Sequence, residues 1–379
     1  MSQKIKVGLM TYSFDGRKAK GSALYARTIT EQFLRNPNLD CTLIHFEKSD
    51  DPIYSQAKEE LIIPSGIKSR SRFISLLAYF LRKRNDKYDI VHWFQPRAYP
   101  FFWLAPARKI VFTVHGAGDI TSGGEMVFSR RMFNWVLKTF NRKAHAHIAV
   151  SEFGRQEVIE HYGTNPDDTY AVYNGGGEVY KALEKDAART RVNDVLNFTG
   201  HYILNVSRLQ PHKNVEALVK AYIQLRERND GVDAKLLVVA WPTFDYERTY
   251  EAARSSRFST DIVFVDYVDA SLMNDLYSGA EFFVFPSLNE GFGLPVIDAM
   301  SAGTAVIVSS SASLPEIAGD AGMVVEPDAE SIARGMEAMW SDSALRAGYV
   351  QKGLVRAQYF TWEKCAAETV EIYSRILNK

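Results

Sequence analysis

The stretch EFFVFPSLNEGFGLPVIDAM, residues 281–300, joins an apolar and aromatic run to a glycine turn and then to a second apolar segment led by Pro295. A short, continuously apolar run reads as a strand buried on both faces. Pro295 is expected at the first helical position, where its missing N–H costs nothing. Strand, glycine turn and helix in that order form half of a βαβ unit, the building block of a parallel sheet covered by helices.

The same pattern extends in both directions. In the first half, KIKVGLMTY, CTLIHFE, YDIVHWF, KIVFTVHG, HIAVS and YAVYNG read as strands, with amphipathic segments such as ALYARTITEQFLR and SRFISLLAYFLRK between them. The pattern lapses over 176–200, GGEVYKALEKDAARTRVNDVLNFTG, which is charged and holds no strong strand. A second series follows: YILNVSRL, a helix from Asn214, AKLLVVAW, DIVFVDYV, a helix near 271–279, EFFVFPS, the helix after Leu294, AVIVSS and GMVVEP, with a helical end from Asp328. The chain of 379 residues is long for one core. The expectation is therefore α/β with two Rossmann-like, doubly wound domains facing across a cleft. The N-terminal one spans 1–180, a linker 181–200, and the C-terminal one 201–359. Ligands of such sheets bind beyond the carboxyl ends of the strands.

Composition narrows the classes. The chain is 46% hydrophobic and 24% charged, as soluble globular proteins are. Cys41 and Cys365 stand far apart with no metal-like spacing, so both are expected in packed elements under reducing conditions. The segment MSQKIKVGLMTY does not read as a secretory signal, and no apolar run approaches the roughly 20 residues of a membrane span. These points suggest the cytoplasm, or a membrane surface facing it. The net charge of zero hides an asymmetry: residues 1–180 hold 25 Lys and Arg against 18 Asp and Glu. A basic first half suits phosphates or anionic lipid. Within it, SRSRFISLLAYFLRKR and FSRRMFNWVLKTFNRK are basic, apolar and aromatic. They either lie on an anionic membrane surface or bury their apolar faces on the sheet and leave their charges solvated.

Candidate chemistry is sought at the strand ends. Strand YILNVSRL leads to Arg208 and then Lys213, five apart across a turn with Pro211. A guanidinium fork and an ammonium point charge together suit a diphosphate. The plain alternative is two solvated cations, although cations at a helix start are unfavourable without an anion. Gly291, Phe292, Gly293 and Leu294 form a turn that aims backbone N–H groups beyond the strand, a ready anion site. Glu290 beside it would repel phosphate and suits sugar hydroxyls. Asp298, read as lying one turn into the helix, either accepts from ribose hydroxyls or is an acid favoured by the helix dipole. His115, at the end of KIVFTV and ahead of two glycines, is the best site candidate among the eight histidines. His92 is as readily a packed histidine as a site residue; His45, His145 and His147 read as structural. The basic loop SFDGRKAKGSALYAR, with Gly16, Gly21 and Ser22, either closes over phosphates, holds an acceptor or is simply solvated. No G-x-G-x-x-G follows the first strand, which argues against a dinucleotide oxidoreductase.

The fragments VSRLQPHKN, PSLNEGFGLPVIDAM, TVHG, AVSE and VYNGG together resemble, in order and spacing, the retaining glycosyltransferase family 4, glycosyl transferases group 1. The resemblance covers nearly the whole chain. It implies a GT-B architecture with the donor on the C-terminal domain and the acceptor on the N-terminal one. It also implies a last helix, here 360–379, that returns to the N-terminal domain. By position it implies that Arg208 and Lys213 bind the donor diphosphate and that Glu290 contacts the transferred sugar. The same comparison puts Gly291 to Leu294 near sugar and phosphate, His115 near the reacting carbon, and the backbone at Val268 against the nucleobase. The sequence departs from the family where Asp298 replaces the usual Glu, where Lys20-Gly21-Ser22 replaces a double glycine, and where Ala240-Trp241 replaces a glycine.

The implied reaction is hexosyl transfer with retention, from a donor of the GDP-mannose or UDP-glucose type to a saccharide or polyprenyl-diphosphate-linked saccharide, in bacterial surface-polysaccharide synthesis. No cofactor or metal is expected, since no Asp-x-Asp pair stands at the strand ends, and no nucleic acid partner. A sugar phosphorylase or epimerase on the same scaffold would keep most of these residues.

Overall fold

The computed structural model describes residues 4–14, 21–63, 69–82, 88–94, 101–116, 128–242 and 247–379. The chain divides into two compact units, one of residues 1–174 with 362–379 and one of residues 175–361.

The first unit is built on seven parallel strands: β1 (Ile5–Met10), β2 (Leu39–His45), β3 (Glu59–Ile62), β4 (Tyr88–Trp93), β5 (Ala107–Val114), β6 (Ala146–Ala149) and β7 (Thr169–Ala171). Their order is β3-β2-β1-β4-β5-β6-β7. The chain therefore winds outward in both directions from the β1–β4 pair, where the winding reverses. Period-2 alternation sends successive side chains to opposite faces. Val7, Leu9, Ile90 and Val111 point into one apolar layer with Tyr25 and Phe33 of the helix Ser22–Arg35. Met10, Val91, Trp93 and Phe112 point into the other. That layer is covered by the helices Ser69–Arg82, Phe128–Phe140 and Glu152–Tyr162 through Leu76, Phe80, Val136, Leu137 and Val158.

The last helix, Trp362–Leu377, belongs to this first unit. Trp362, Cys365, Ile372 and Tyr373 complete the layer that holds Tyr25 and Phe33. Tyr373 also reaches His92, whose Nδ1 lies 2.5 Å from the tyrosine hydroxyl and whose Nε2 lies 2.8 Å from Thr113 Oγ1. His92 is fully buried, and burial pulls its pKa down to about 3. It is thus a satisfied core histidine. Cys41 and Cys365 are both buried and unbridged.

The second unit carries six parallel strands: β8 (His201–Leu209), β9 (Ala234–Pro242), β10 (Ile262–Val265), β11 (Phe283–Phe285), β12 (Val306–Ser309) and β13 (Met323–Val325). Their order is β10-β9-β8-β11-β12-β13, so the reversal of winding falls between β8 and β11. Helices cover the sheet, among them the crossover helix Val215–Arg228 and the helix Ala329–Ser341 after the last strand, whose Leu218, Tyr222, Ile332 and Met336 share one core with Ile203, Leu236 and Val284.

Three features differ from the sequence reading. Strand β3 was not anticipated: its four residues, Glu59 to Ile62, carry two acids and stand at the sheet edge, where little apolar patterning is required. Pro295 is the second residue of its helix, which starts at Leu294. The segment expected as a linker with room for a short helix, 181–200, holds the 12-residue helix Lys185–Leu196 and is part of the second unit. Its charges, which masked it, are largely paired: Arg191 Nε lies 2.7 Å from Asp275 Oδ1, and Lys185 Nζ lies 3.0 Å from Glu281 Oε2.

The second unit closes on itself where the chain enters and leaves it. Gly177 N–H donates to Phe360 O at 2.9 Å. A Cβ at Gly177 would lie 1.9 Å from Ala357 O, so no side chain fits. Gly177→Ala should force these backbones apart, at a cost of about 1–3 kcal/mol or more. A drop in the urea midpoint of the second unit's unfolding would show it; an unchanged midpoint would contradict the close approach.

Candidate active site

The reversal point of the second sheet places two loops side by side, one after β8 and one after β11. This is where open α/β sheets bind ligands. The β8 loop runs through Gln210 and the short turn Pro211–Lys213 to Asn214, at φ 59°, a left-handed conformation that asparagine tolerates. Asn214 Nδ2 donates to Pro286 O at 3.1 Å and to Pro327 O at 2.7 Å. From the other side, His212 O accepts Leu288 N–H at 2.7 Å and Ser287 Oγ at 2.9 Å. The two loops are thus stapled together by backbone and side-chain bonds.

The staple brings Lys213 onto Glu290. Lys213 Nζ forms an ion pair with Glu290 Oε1, both side chains being mostly buried, and lies 5.7 Å from the centroid of the Phe285 ring. A second support comes from Ser313, whose hydroxyl donates to Glu290 O at 2.9 Å and is 3.1 Å from Phe292 O. Gly293, at φ 105°, caps the helix Leu294–Ser301, and no side chain caps its N-terminus. That conformation excludes other residues, and a Cβ there would also press on Leu314 Cδ2 at 2.8 Å. Arg208, at the end of β8 opposite Trp241 in register, is exposed and makes no ion pair among the described residues. One mostly buried carboxylate, one paired ammonium, one exposed guanidinium and an uncapped helix start therefore share the reversal point. A cavity of about 150 Å³ is lined by Gln210, Asn214 and Arg248 among others, and by none of those four groups.

Asp298 sits in the second turn of its helix, not the first. The helix-dipole reading loses its force there, because the dipole's effect falls off within the first turn. Burial pushes the Asp298 carboxyl up to about 8. Its charge also adds to the burial that lifts Tyr180 to about 12 and raises Tyr277. Around neutral pH the carboxyl is therefore substantially protonated and can donate as well as accept a hydrogen bond. Val268 lies just beyond β10 with its side chain buried.

In the first unit, His115 follows β5. Its Nε2 lies 2.9 Å from Phe94 O, and Tyr25 packs edge-on at a centroid distance of 4.7 Å. Burial pulls its pKa down to about 4, so the ring is neutral at pH 7. A carbonyl only accepts, so Nε2 carries the proton and Nδ1 is left as an acceptor. Gly21, at φ 58°, caps the helix Ser22–Arg35, again with no side-chain cap. Residues 15–20 of the expected loop, including Gly16 and Lys20, lie outside the described residues, while Ser22 opens the helix. His45 Nε2 pairs with Glu60, His145 Nδ1 accepts Ile110 N–H, and His147 is buried against Phe112.

The sequence reading named Arg208, Lys213, Glu290 and the 291–294 turn; the structure pairs Lys213 with Glu290, ties Glu290 and Phe292 through Ser313, and leaves Arg208 exposed near the end of β8. It missed Asn214 and Ser313, which position the loops. The signal for Asn214 was its place between a turn and a helix start; that for Ser313 was its place ahead of Leu314-Pro315, a serine before a proline-led helix.

Comparison with known proteins bears on the fold and on the families the chain resembles. Residues 20–175 match the family model of Glycosyltransferase Family 4, and residues 200–342 that of Glycosyl transferases group 1. HepE of Anabaena, solved in complex with UDP and glucose, superposes with a TM-score of 0.78 over 98% of this chain and all of that one, at 16% identity. The fold is GT-B. Over 238 residues, 62% of the chain, this GT-B protein is 30% identical to the serotype-specific mannosyltransferase WbdA of Escherichia coli, of which it covers 29%. Over 227 residues, 60% of the chain, it is 32% identical to the O-antigen chain mannosyltransferase B of Escherichia coli, of which it covers 59%. The chain thus matches less than two thirds of the length of either mannosyltransferase.

The raised Asp298 has a consequence for stability. Its folded value of about 8 stands above the roughly 3.9 of an unfolded aspartate, so its contribution is complete below about pH 4 and is lost as pH rises through about 8. Between those limits the thermal midpoint of the wild type should fall with rising pH more steeply than that of Asp298→Asn. Parallel curves would mean that the carboxyl is not raised.

Proposed function

We propose that the chain is a retaining glycosyltransferase that moves a hexose, mannose in the first instance, from a nucleoside diphosphate sugar to a hydroxyl of a saccharide or lipid-linked saccharide. The observation that carries this reading is the Lys213–Glu290 pair with Arg208 at the reversal point of the second sheet. The two family matches and the mannosyltransferase names support it. The complex of HepE with UDP and glucose supports the donor class.

The pair resolves a difficulty in the site's charge. A carboxylate next to a diphosphate is repelled unless a cation stands between them. An ammonium has three donors, so Lys213 can hold Glu290 with one and meet a phosphate oxygen with another. Glu290 is then free to accept from the sugar's hydroxyls. In the proposed step the bond from the anomeric carbon to the diphosphate oxygen breaks, and its electron pair leaves with the phosphate. Arg208, Lys213 and the amides at the 291–294 turn are fixed where that charge develops. The acceptor oxygen forms its bond on the same face, and its proton passes to the departing phosphate. Glu290 is committed to Lys213 and hydroxyl binding, so no covalent intermediate is assigned to it.

His115, as a neutral ring with Nδ1 accepting, suits a sugar hydroxyl as donor to it. Asp298, protonated near neutrality, suits a ribose hydroxyl as either partner. We assign no metal to the reaction, because fixed cations supply the positive charge the leaving group needs.

Glu290→Ala and Arg208→Ala should each lower release of nucleoside diphosphate from the preferred donor by about 10²-fold or more, with the far-UV circular dichroism of the wild type. GDP-mannose and UDP-glucose are the first donors to assay. Full activity in both variants would remove the site assignment. The wild type should keep its rate in excess EDTA; a loss that Mg²⁺ or Mn²⁺ restores would remove the metal-free assignment.

A further inference from the structure

The two basic helices of the first unit do both things that their sequence left open. Each buries one face on the sheet and leaves apolar residues on the other. In the 69–82 helix, Leu76 and Phe80 are inside, while Ile74 is 65% exposed, Leu81 55% exposed, and Ala78 exposed between them. Positions 74, 78 and 81 follow the i, i+4, i+7 spacing of one helical stripe. In the 128–140 helix, Val136 and Leu137 are inside and Trp135 is 60% exposed. Both helices cover the same core layer and hence the same face of the sheet.

Aromatic contacts tie the 128–140 helix to the turn at 101–104, and the 69–82 helix packs against that same turn. Phe101, 40% exposed, meets Trp103 at 5.5 Å; Trp103 meets Phe140 at 4.5 Å; and Phe140 meets Trp135 at 5.9 Å. Isolated exposed apolar residues are ordinary on soluble proteins. Four large ones on helices and a turn that cover one face of the sheet, two of them linked through Trp103 and Phe140, form a patch, and such patches mark interaction sites.

The charge around the patch selects its partner. Neither helix contains an acid. Arg82, Lys138, Arg142 and Lys143 are exposed on or just after them, and none pairs with an acid among the described residues. Arg72 is held by Glu47, and in the neighbouring 152–162 helix Glu152 is held by Arg155 and Glu157 is buried; Glu160 is exposed there, so cations outnumber acids on this side. An exposed tryptophan with aliphatic neighbours and a cationic rim fits the interface of an anionic bilayer, where ring and headgroup meet.

We propose that this face of the first unit, Ile74, Leu81, Phe101 and Trp135 with Arg82, Lys138, Arg142 and Lys143, docks on an anionic lipid surface. No described helix is long and apolar enough to cross a membrane, so the contact is interfacial. The surface does not depend on the proposed transfer, since vesicle binding is read without donor or acceptor.

The test is sedimentation of the full chain with vesicles of phosphatidylcholine alone and with about 30% phosphatidylglycerol. Binding should require the anionic lipid and weaken in about 0.5 M salt. The triple variant Ile74→Asn, Leu81→Asn, Trp135→Ala should bind those vesicles about tenfold or more weakly, with the wild-type thermal midpoint. If that variant is destabilised, Lys138→Glu with Arg142→Glu reads the cationic rim separately and should also lose binding. Failure of the wild type to bind anionic vesicles, or unchanged binding in the variants, would overturn the proposal. So would wild-type self-association without lipid that the triple variant abolishes, since the patch would then serve a second copy of the chain.

Discussion

The reversal point of the second sheet turns on one contact, the ion pair between Lys213 and Glu290. Neither residue has a role alone at the point where the winding of the sheet reverses. A lone carboxylate there would be a mostly buried charge beside the expected anion, and a lone lysine would stand near the positive end of a helix. Paired, they neutralise each other while the ammonium keeps donors to spare. The surrounding structure holds this pair in place: Asn214 ties the β8 loop to Pro286 and Pro327, and Ser313 ties the other loop through Glu290 and Phe292. The glycine at 293 then lets the helix start immediately after the carboxylate, without a capping side chain that would fill the anion's place.

The first unit shows the opposite use of buried polar groups. His92, Tyr373, Thr113 and Tyr25 form a satisfied set around the core, and burial holds the histidine neutral. Next to it, His115 gives one nitrogen to Phe94 O and keeps the other. Two neighbouring histidines are thus separated in function by their hydrogen bonds: one has both nitrogens engaged, the other has one acceptor left for a ligand.

Much of this was legible before any coordinates. All six strands of the second sheet stand where apolar runs were read, because strands covered on both faces must be apolar throughout. Arg208 and Glu290 were legible because strand ends limit where chemistry can sit. What escaped had physical reasons. Edge strand β3 has little apolar pattern to show. The 185–196 helix looked like a linker because its charges find partners at Asp275 and Glu281, far along the chain. The Lys213–Glu290 pair spans 77 positions and follows only from which strands become neighbours. Asp298 was left between a ribose ligand and a dipole-favoured acid; the dipole alternative weakens because the helix starts at Leu294, and burial, which the sequence does not show, is what raises the carboxyl.

The closing helix sets the order in which the molecule can be completed. Residues 1–174 lack a wall of their own core: Trp362, Ile372 and Tyr373 must arrive before Tyr25 and Phe33 are covered and before His92 gains its second partner beside Thr113. The whole of residues 175–361 is made in between. At about 5–20 residues per second on the ribosome, the first sheet waits roughly 10–40 s with that face open. During synthesis the first unit is therefore a client for whatever shields exposed apolar surface, while the second, contiguous in sequence, finishes earlier although it is made later.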